Sequence, residues 1–271
     1  MKTMYKVLGK GRISPYQNFV YAPNKEYTCE NFDTDKTEDC SRGFYATELD
    51  GLCYAYRPGK SIYEVKVGGR EVCINQFKHR FEKITVGRKL PISEVKKRIR
   101  SGTWDWNVEE SLFPINPFSK NRKRVTNADI ELLKAWASVR ASVGASVWAS
   151  VWASVWDSVW DSVGASVGAS VRASVWASVG ASVWASVWAS VGDSVRDSVW
   201  DSVWASVGAY TSSLFPNIQK WEYIDHKAGE NPFQPCIDLW RSGLVPSFDG
   251  TTWRLNGESG ILYELKKEDI V

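Results

Sequence analysis

The sequence predicts a mainly β protein: a parallel β-solenoid of four-residue units, flanked by a small α+β head and a small α+β cap, with a long helical repeat as the alternative. Three observations carry this. Residues 137–208 run as eighteen uninterrupted tetrads, and position two is always Ser and position three always Val. A period of four is a multiple of the strand period of two. In a helix, by contrast, each four-residue step overshoots a full turn by about 40°, so a stripe of Val would wind round the rod within nine units. Ser, Val and Gly are also weak helix formers.

Position one is Ala thirteen times and Asp five times, and position four is Trp nine times, Gly six times and Arg three times. Val is therefore expected to pack inward. Ser and the variable fourth residue are expected on the other face, Ser as a hydrogen-bonding ladder. Asp at position one belongs near a wet corner, because a deeply buried carboxylate is costly.

The repeat divides the chain into a head (1–110), a linker and capping helix (111–136), the tetrads (137–208) and a C-terminal cap (209–271). SLFP stands on both sides of the tetrads, at 111–114 and 213–216. TNADIELLKAW (126–136) reads as a helix capped by Thr126 or Asn127, placed to cover an open solenoid end. NPFQPCIDLWRSG (231–243) predicts a helix ending at Gly243. Residues 247–265 predict strands with turns at Asp249-Gly250 and Asn256-Gly257. In the head, MYKVL, SIYEVKV, REVCI and EKITV are strand-like and ISEVKKRIR is a basic helix.

Bulk composition excludes some classes. Hydrophobic residues make up 44% of the chain and fifteen are Trp, so it is not disordered in composition. The net charge of +3 conceals a gradient: residues 1–136 hold 25 basic and 17 acidic side chains, a balance of +8. Five cysteines without CxxC spacing and only two histidines argue against a disulfide framework or a metal site. Reduced thiols, and an N-terminus lacking a signal peptide's apolar core, point to the cytoplasm of a bacterial host cell. The uncharged stretch 173–192 has the length of a membrane span, but five Ser and two Gly dilute it, and no membrane association is expected.

Several head segments look familiar together: NFVYAPNKEYTCE (18–30), DCSRGFYAT (39–47), YAYRPGKSIYEVKVGG (54–69) and EKITVGRKLPIS (82–93). They resemble an N-terminal domain of unknown function from phage and prophage proteins. Asn24 stands where that family has the Gly of a Gly-Lys pair, and Tyr45 where it commonly has His. The resemblance covers about a third of the chain and implies that solenoid repeats follow. GFYATELDGLCYAY (43–56) also looks like the aromatic stretch of ADP-ribosyltransferases. That likeness implies nucleotide stacking on Tyr45 and Tyr56, with Glu64 or Glu71 polarising the ribose. This chain has Tyr5-Lys6 where that family carries its first-strand His. The other reading of the same aromatics is a packed core.

No Walker, GxGxxG or nucleophile-elbow motif is present, and no catalytic residue, metal ligand or cofactor is expected. KKRIR (96–100) and KNRKR (120–124) could hold phosphates, but a solvated helix face and a basic linker account for them, and nucleic acid is not the favoured partner. The binding face is expected on position four: Trp148, Trp152, Trp156, Trp160, Trp176, Trp184, Trp188, Trp200 and Trp204, with Arg140, Arg172 and Arg196. Aromatic and guanidinium groups in register suit a protein partner or self-association. The expected function is a non-enzymatic scaffold that presents this face, for example to a host protein. A nucleotide-binding or ADP-ribosyltransferase-like head and nucleic-acid binding through the basic head are the alternatives.

Overall fold

A computed structural model describes residues 3–15, 18–56, 59–75, 78–143, 146–155 and 196–270. The described residues form two compact units, one from those up to Trp104 and one from those after it.

The first unit is built on an antiparallel sheet of β1 (Met4–Leu8), β2 (Glu26–Thr28), β3 (Phe44–Ala46), β4 (Ser61–Asn75) and β5 (Lys78–Lys89). The order is β1-β4-β5-β2, with β3 also on β5. Two backbone bonds between Tyr5 and Thr47, of 2.8 and 2.9 Å, join the chain after β3 back to β1, so the sheet curls upon itself. SIYEVKV and REVCI are one strand, bent at a bulge between Gly68 and Glu71. Gly69 supplies the positive φ of 76° there, and a Cβ would meet the Glu82 side chain at 2.6 Å. The concave face buries Met4, Leu8, Tyr21, Tyr63, Val65, Phe81, Ile84 and Val86.

Lys6 lies between Met4 and Leu8 in that alternation and is 8% exposed. Its Nζ donates to the Tyr45 carbonyl at 2.6 Å and lies 5.2 Å from the centre of the Tyr21 ring. Short helix α1 (Leu52–Ala55) follows β3, and α2 (Ile92–Arg100) realises the predicted basic helix. It buries Val95 and Ile99 and turns Glu94 and Arg98 toward Arg88 and Glu64.

The second unit contains α3 (Val108–Leu112), α4 (Asn127–Ser142), α5 (147–155), α6 (Arg196–Ser212), α7 (Gln234–Ser242) and a sheet ordered β6-β7-β8 (Val245–Phe248, Thr252–Gly257, Gly260–Lys266). The expected caps are in place. Asp129 N–H donates to Thr126 Oγ1 at 3.3 Å while Thr126 N–H donates to the Asp129 carboxylate at 2.8 Å, a full capping box. Gly243 ends α7 with φ 99°. One turn moves: Asn256 stays inside β7, where its amide donates to Val245 O and Ser247 Oγ, both at 2.9 Å, and the reversal falls between Gly257 and Gly260. The core gathers Trp136, Trp240, Tyr210, Phe215, Phe233 and Trp221.

The parallel β-solenoid is wrong. Every strand pairing in both sheets is antiparallel, and the described tetrads lie in helices: 137–142 in α4, 147–155 in α5 and 196–208 in α6. The stripe drift that counts against a long helix is small over such lengths. Three steps of about 40° sum to about 120°, the width of an ordinary apolar helix face.

Ser also faces the opposite way from expectation. In α5 and α6, Ser150, Ser154, Ser202 and Ser206 are buried together with Val147, Val151, Val203 and Val207. A buried hydroxyl satisfies itself by donating to the preceding turn, as Ser154 does to Ser150 O at 2.8 Å and Ser206 to Ser202 O at 3.0 Å. The small side chain then lets another segment approach closely. Tetrads between 156 and 195 lie outside the described residues.

Candidate binding face of the repeat

A spacing of four places successive serines one helical turn apart on one face, with Cβ atoms about 6 Å apart. An extended chain offers a C=O and the N–H two residues later on the same edge. In α6, the Phe248 N–H donates to Ser202 Oγ at 2.8 Å, and Ser206 Oγ lies 3.0 Å from the Pro246 carbonyl. Strand β6 is the sheet edge, so Ser202 satisfies an N–H that no neighbouring strand reaches, and Ser206 shares its one proton between Ser202 O and Pro246 O. Pro246, lacking an N–H, fits that edge.

In α5 a serine pair of the same spacing, with the roles of its two hydroxyls exchanged, holds both backbone groups of one turn residue. Ser150 donates to the Glu222 carbonyl, and the Glu222 N–H donates to Ser154 Oγ at 2.7 Å. Two tetrad helices thus hold two backbone segments through serine pairs of the same spacing.

Position four packs between helices as well as facing water. Trp148 stacks on Trp152 at 6.3 Å and meets Trp204 edge-on at 5.8 Å. Gly208 completes the fit, because a Cβ there would touch Trp148 at 3.4 Å. Large and absent side chains at one repeat position are complementary where α5 and α6 meet. Trp148, Trp152 and Trp204 are each half-buried, and Asp201 at position one is exposed, as its charge requires. Trp200 and Arg196 belong to α6, of which the backbone alone is described there. Trp156, Trp160, Trp176, Trp184, Trp188 and Arg172 lie outside the described residues.

Arg140, the fourth residue of the first tetrad, has a different setting. It lines a groove of about 700 Å³ with Lys134, Ser138, Phe248, Lys267 and Ile270. Its Nη1 donates to Asp201 O at 3.3 Å, and desolvation lowers its pKa. The nearby Asp201 carboxylate favours its charge and offsets part of that desolvation. Glu131, the acidic group of the groove, is held by Lys134 at 3.2 Å.

The head residues singled out for a nucleotide are engaged locally. The Tyr45 hydroxyl donates to Ser41 O at 2.9 Å and accepts from Ser41 N at 2.6 Å, which pins the loop before β3. Lys78 Nζ lies 4.7 Å from the centre of its ring. Tyr56 ends α1, its N–H donating to Leu52 O at 2.7 Å, and partial burial raises its hydroxyl pKa. Glu64 is bracketed by Arg88 and Arg98, both at 2.7 Å, and Glu71 accepts from His79 Nδ1 at 2.9 Å. Of the basic runs, Arg98 is drawn into this network and Arg122 pairs with Asp129 at the start of α4.

Sequence reasoning missed the serine pairs and the groove. The signal for the former was present: an invariant Ser every four residues is a helix-turn spacing. The groove joins residues 131–141, 248–253 and 267–270, which no local pattern connects.

No protein-family model, curated protein or solved structure matches this chain. Among the described residues no cluster of His, Cys, Asp and Glu could hold a metal ion, and no helix is long and apolar enough to cross a membrane.

Proposed function

We propose that the chain is a non-enzymatic scaffold, of the phage or prophage kind that its head resembles, and that its repeat presents the variable positions to a protein partner. One observation carries this reading. Ser150, Ser154, Ser202 and Ser206 and Val147, Val151, Val203 and Val207 of α5 and α6 are buried, while the substituted positions include the half-exposed Trp148, Trp152 and Trp204 and the exposed Asp201. Such a repeat keeps its Ser and Val packing where the half-exposed members of the variable positions change. Exposed aromatic and guanidinium groups are the side chains that dominate protein interfaces.

The test uses exchanges that the repeat already contains. Full-length chain with Trp152, Trp176, Trp184 and Trp188 each changed to Gly is compared with the parent in capture of proteins from a bacterial lysate, quantified by mass spectrometry. Partners held through the variable face fall at least tenfold with the variant. An unchanged set of captured proteins overturns the reading.

A further inference from the structure

The turn that carries Glu222 is closed by a histidine whose proton is placed by its partners. His226 Nε2 accepts from the Trp221 N–H at 2.8 Å. Its Nδ1 lies 2.9 Å from the Lys227 carbonyl, and a carbonyl can only accept, so Nδ1 carries the proton. The two bonds exist together only for the neutral imidazole. Protonation at Nε2 sets two donors face to face, and the bond to Trp221 is lost.

The same turn is fastened to the repeat. Glu222 follows Trp221, and its carbonyl takes the Ser150 hydroxyl while its N–H donates to Ser154 Oγ at 2.7 Å. Tyr223 comes next at φ 63°, a conformation unfavourable for a residue with a Cβ, and its side chain is 54% exposed. The turn is therefore kept in shape by its hydrogen bonds and by the Trp221 ring, which is buried edge-on to Phe233 at 5.5 Å.

We propose that His226 is a pH-sensitive latch: neutral, it locks the turn at 221–227 onto tetrad helix α5, and protonated, it releases it. The bonded turn binds one proton fewer at this ring than the released turn, so falling pH favours release. Histidine is the side chain that changes charge between about pH 5 and 8. The other charged groups of the turn are Lys220, paired with Glu222 at 2.9 Å, Lys227, paired with Glu230 at 3.0 Å, and the exposed Asp225. Helix α5 carries no charged side chain. On α7, Asp238 accepts from Gln234 at 2.7 Å and Arg241 reaches Glu110 at 3.4 Å. Because α5 bears Trp148 and Trp152, the latch regulates the face on which the scaffold reading rests. Its readout is amide exchange and not partner capture, so the two can fail separately.

The test follows amide exchange in the full-length chain from pH 7.5 to pH 5, each rate divided by the intrinsic rate at that pH, with the imidazole nitrogen shifts recorded in the same samples. Protection of the Trp221 and Glu222 amides falls about tenfold on acidification, the scale of one lost hydrogen bond. The fall survives His79→Gln, which removes the chain's other histidine. It disappears in His226→Gln, whose side-chain carbonyl accepts at either pH. Should the glutamine variant leave the turn unprotected throughout, the parent decides: the midpoint of its fall coincides with the titration of the His226 ring, and separate midpoints sink the latch. Protection that is equal at the two ends of the range overturns it, as does an unaltered fall in His226→Gln. A fall at Trp221 with Glu222 unchanged reduces His226 to a local contact and overturns its hold on α5.

Discussion

Changing Lys6 to Met stabilises the head, by about 2 kcal/mol at pH 7. Lys6 sits among the apolar side chains of the curled sheet, and burial lowers its pKa to about 8 from the ordinary 10.5. A shift of that size corresponds to roughly 3 kcal/mol against the charged form. Part of the gain on removal is offset, because the Tyr45 carbonyl loses its donor, a loss of about 1 kcal/mol. Met fills the same length of apolar space without the charge.

The pH dependence has a definite sign. Between the folded value near 8 and the unfolded 10.5, the unfolded chain binds more protons than the folded one. Stability contributed at this site therefore rises with pH through that window, and the penalty is complete below it. Native-state hydrogen exchange of the β4 and β5 amides in the full chain reads both effects. Parent protein gains protection from pH 8 toward 10 relative to Lys6→Met. Loss of protection in the variant at pH 7 would show that the amine is a net stabilising element.

The second large effect lies in the C-terminal unit. Trp240 is fully buried, stacks on Tyr210 at 5.1 Å and donates through Nε1 to Ile115 O at 3.0 Å. Trp240→Ala removes the stack, the bond and a large volume, and costs about 3–5 kcal/mol. Trp240→Phe keeps an aromatic face against Tyr210 but leaves the Ile115 carbonyl unpaired, and costs about 1–3 kcal/mol. Denaturant titration should rank parent, Phe and Ala in that order. Equal losses for Phe and Ala would mean that the hydrogen bond, and not the packing, carries the whole effect.

Much of the fold was legible. The Thr126 cap, the Gly243 stop, the basic helix and the β6–β8 strands follow from local chemistry that tertiary contacts do not override. Asn256-Gly257 failed as a turn because the Asn256 amide is more valuable inside the strand, bonded to Val245 and Ser247. The repeat failed for a different reason. Its period was tested against a single rod of many units, whereas the described helices carry four tetrads or fewer. Over that length the drift still leaves one face to bury. The serines then find partners in β6 and near Trp221, at distances of about 40 to 70 residues along the chain. No periodicity reports such contacts. The variable fourth position was legible as a position, but its partial burial against Gly208 and Trp204 was not.

The central claim is that serines spaced by four on a tetrad helix hold the backbone of a distant segment, strand β6 in one case and the turn at Glu222 in the other. Hydrogen exchange at two amides tests it directly. In the full chain, Ser202→Ala should speed exchange at the Phe248 amide about tenfold while Trp253 is unaffected, and Ser154→Ala should do the same at Glu222. Unchanged exchange at Phe248 and Glu222 in these variants would contradict the claim.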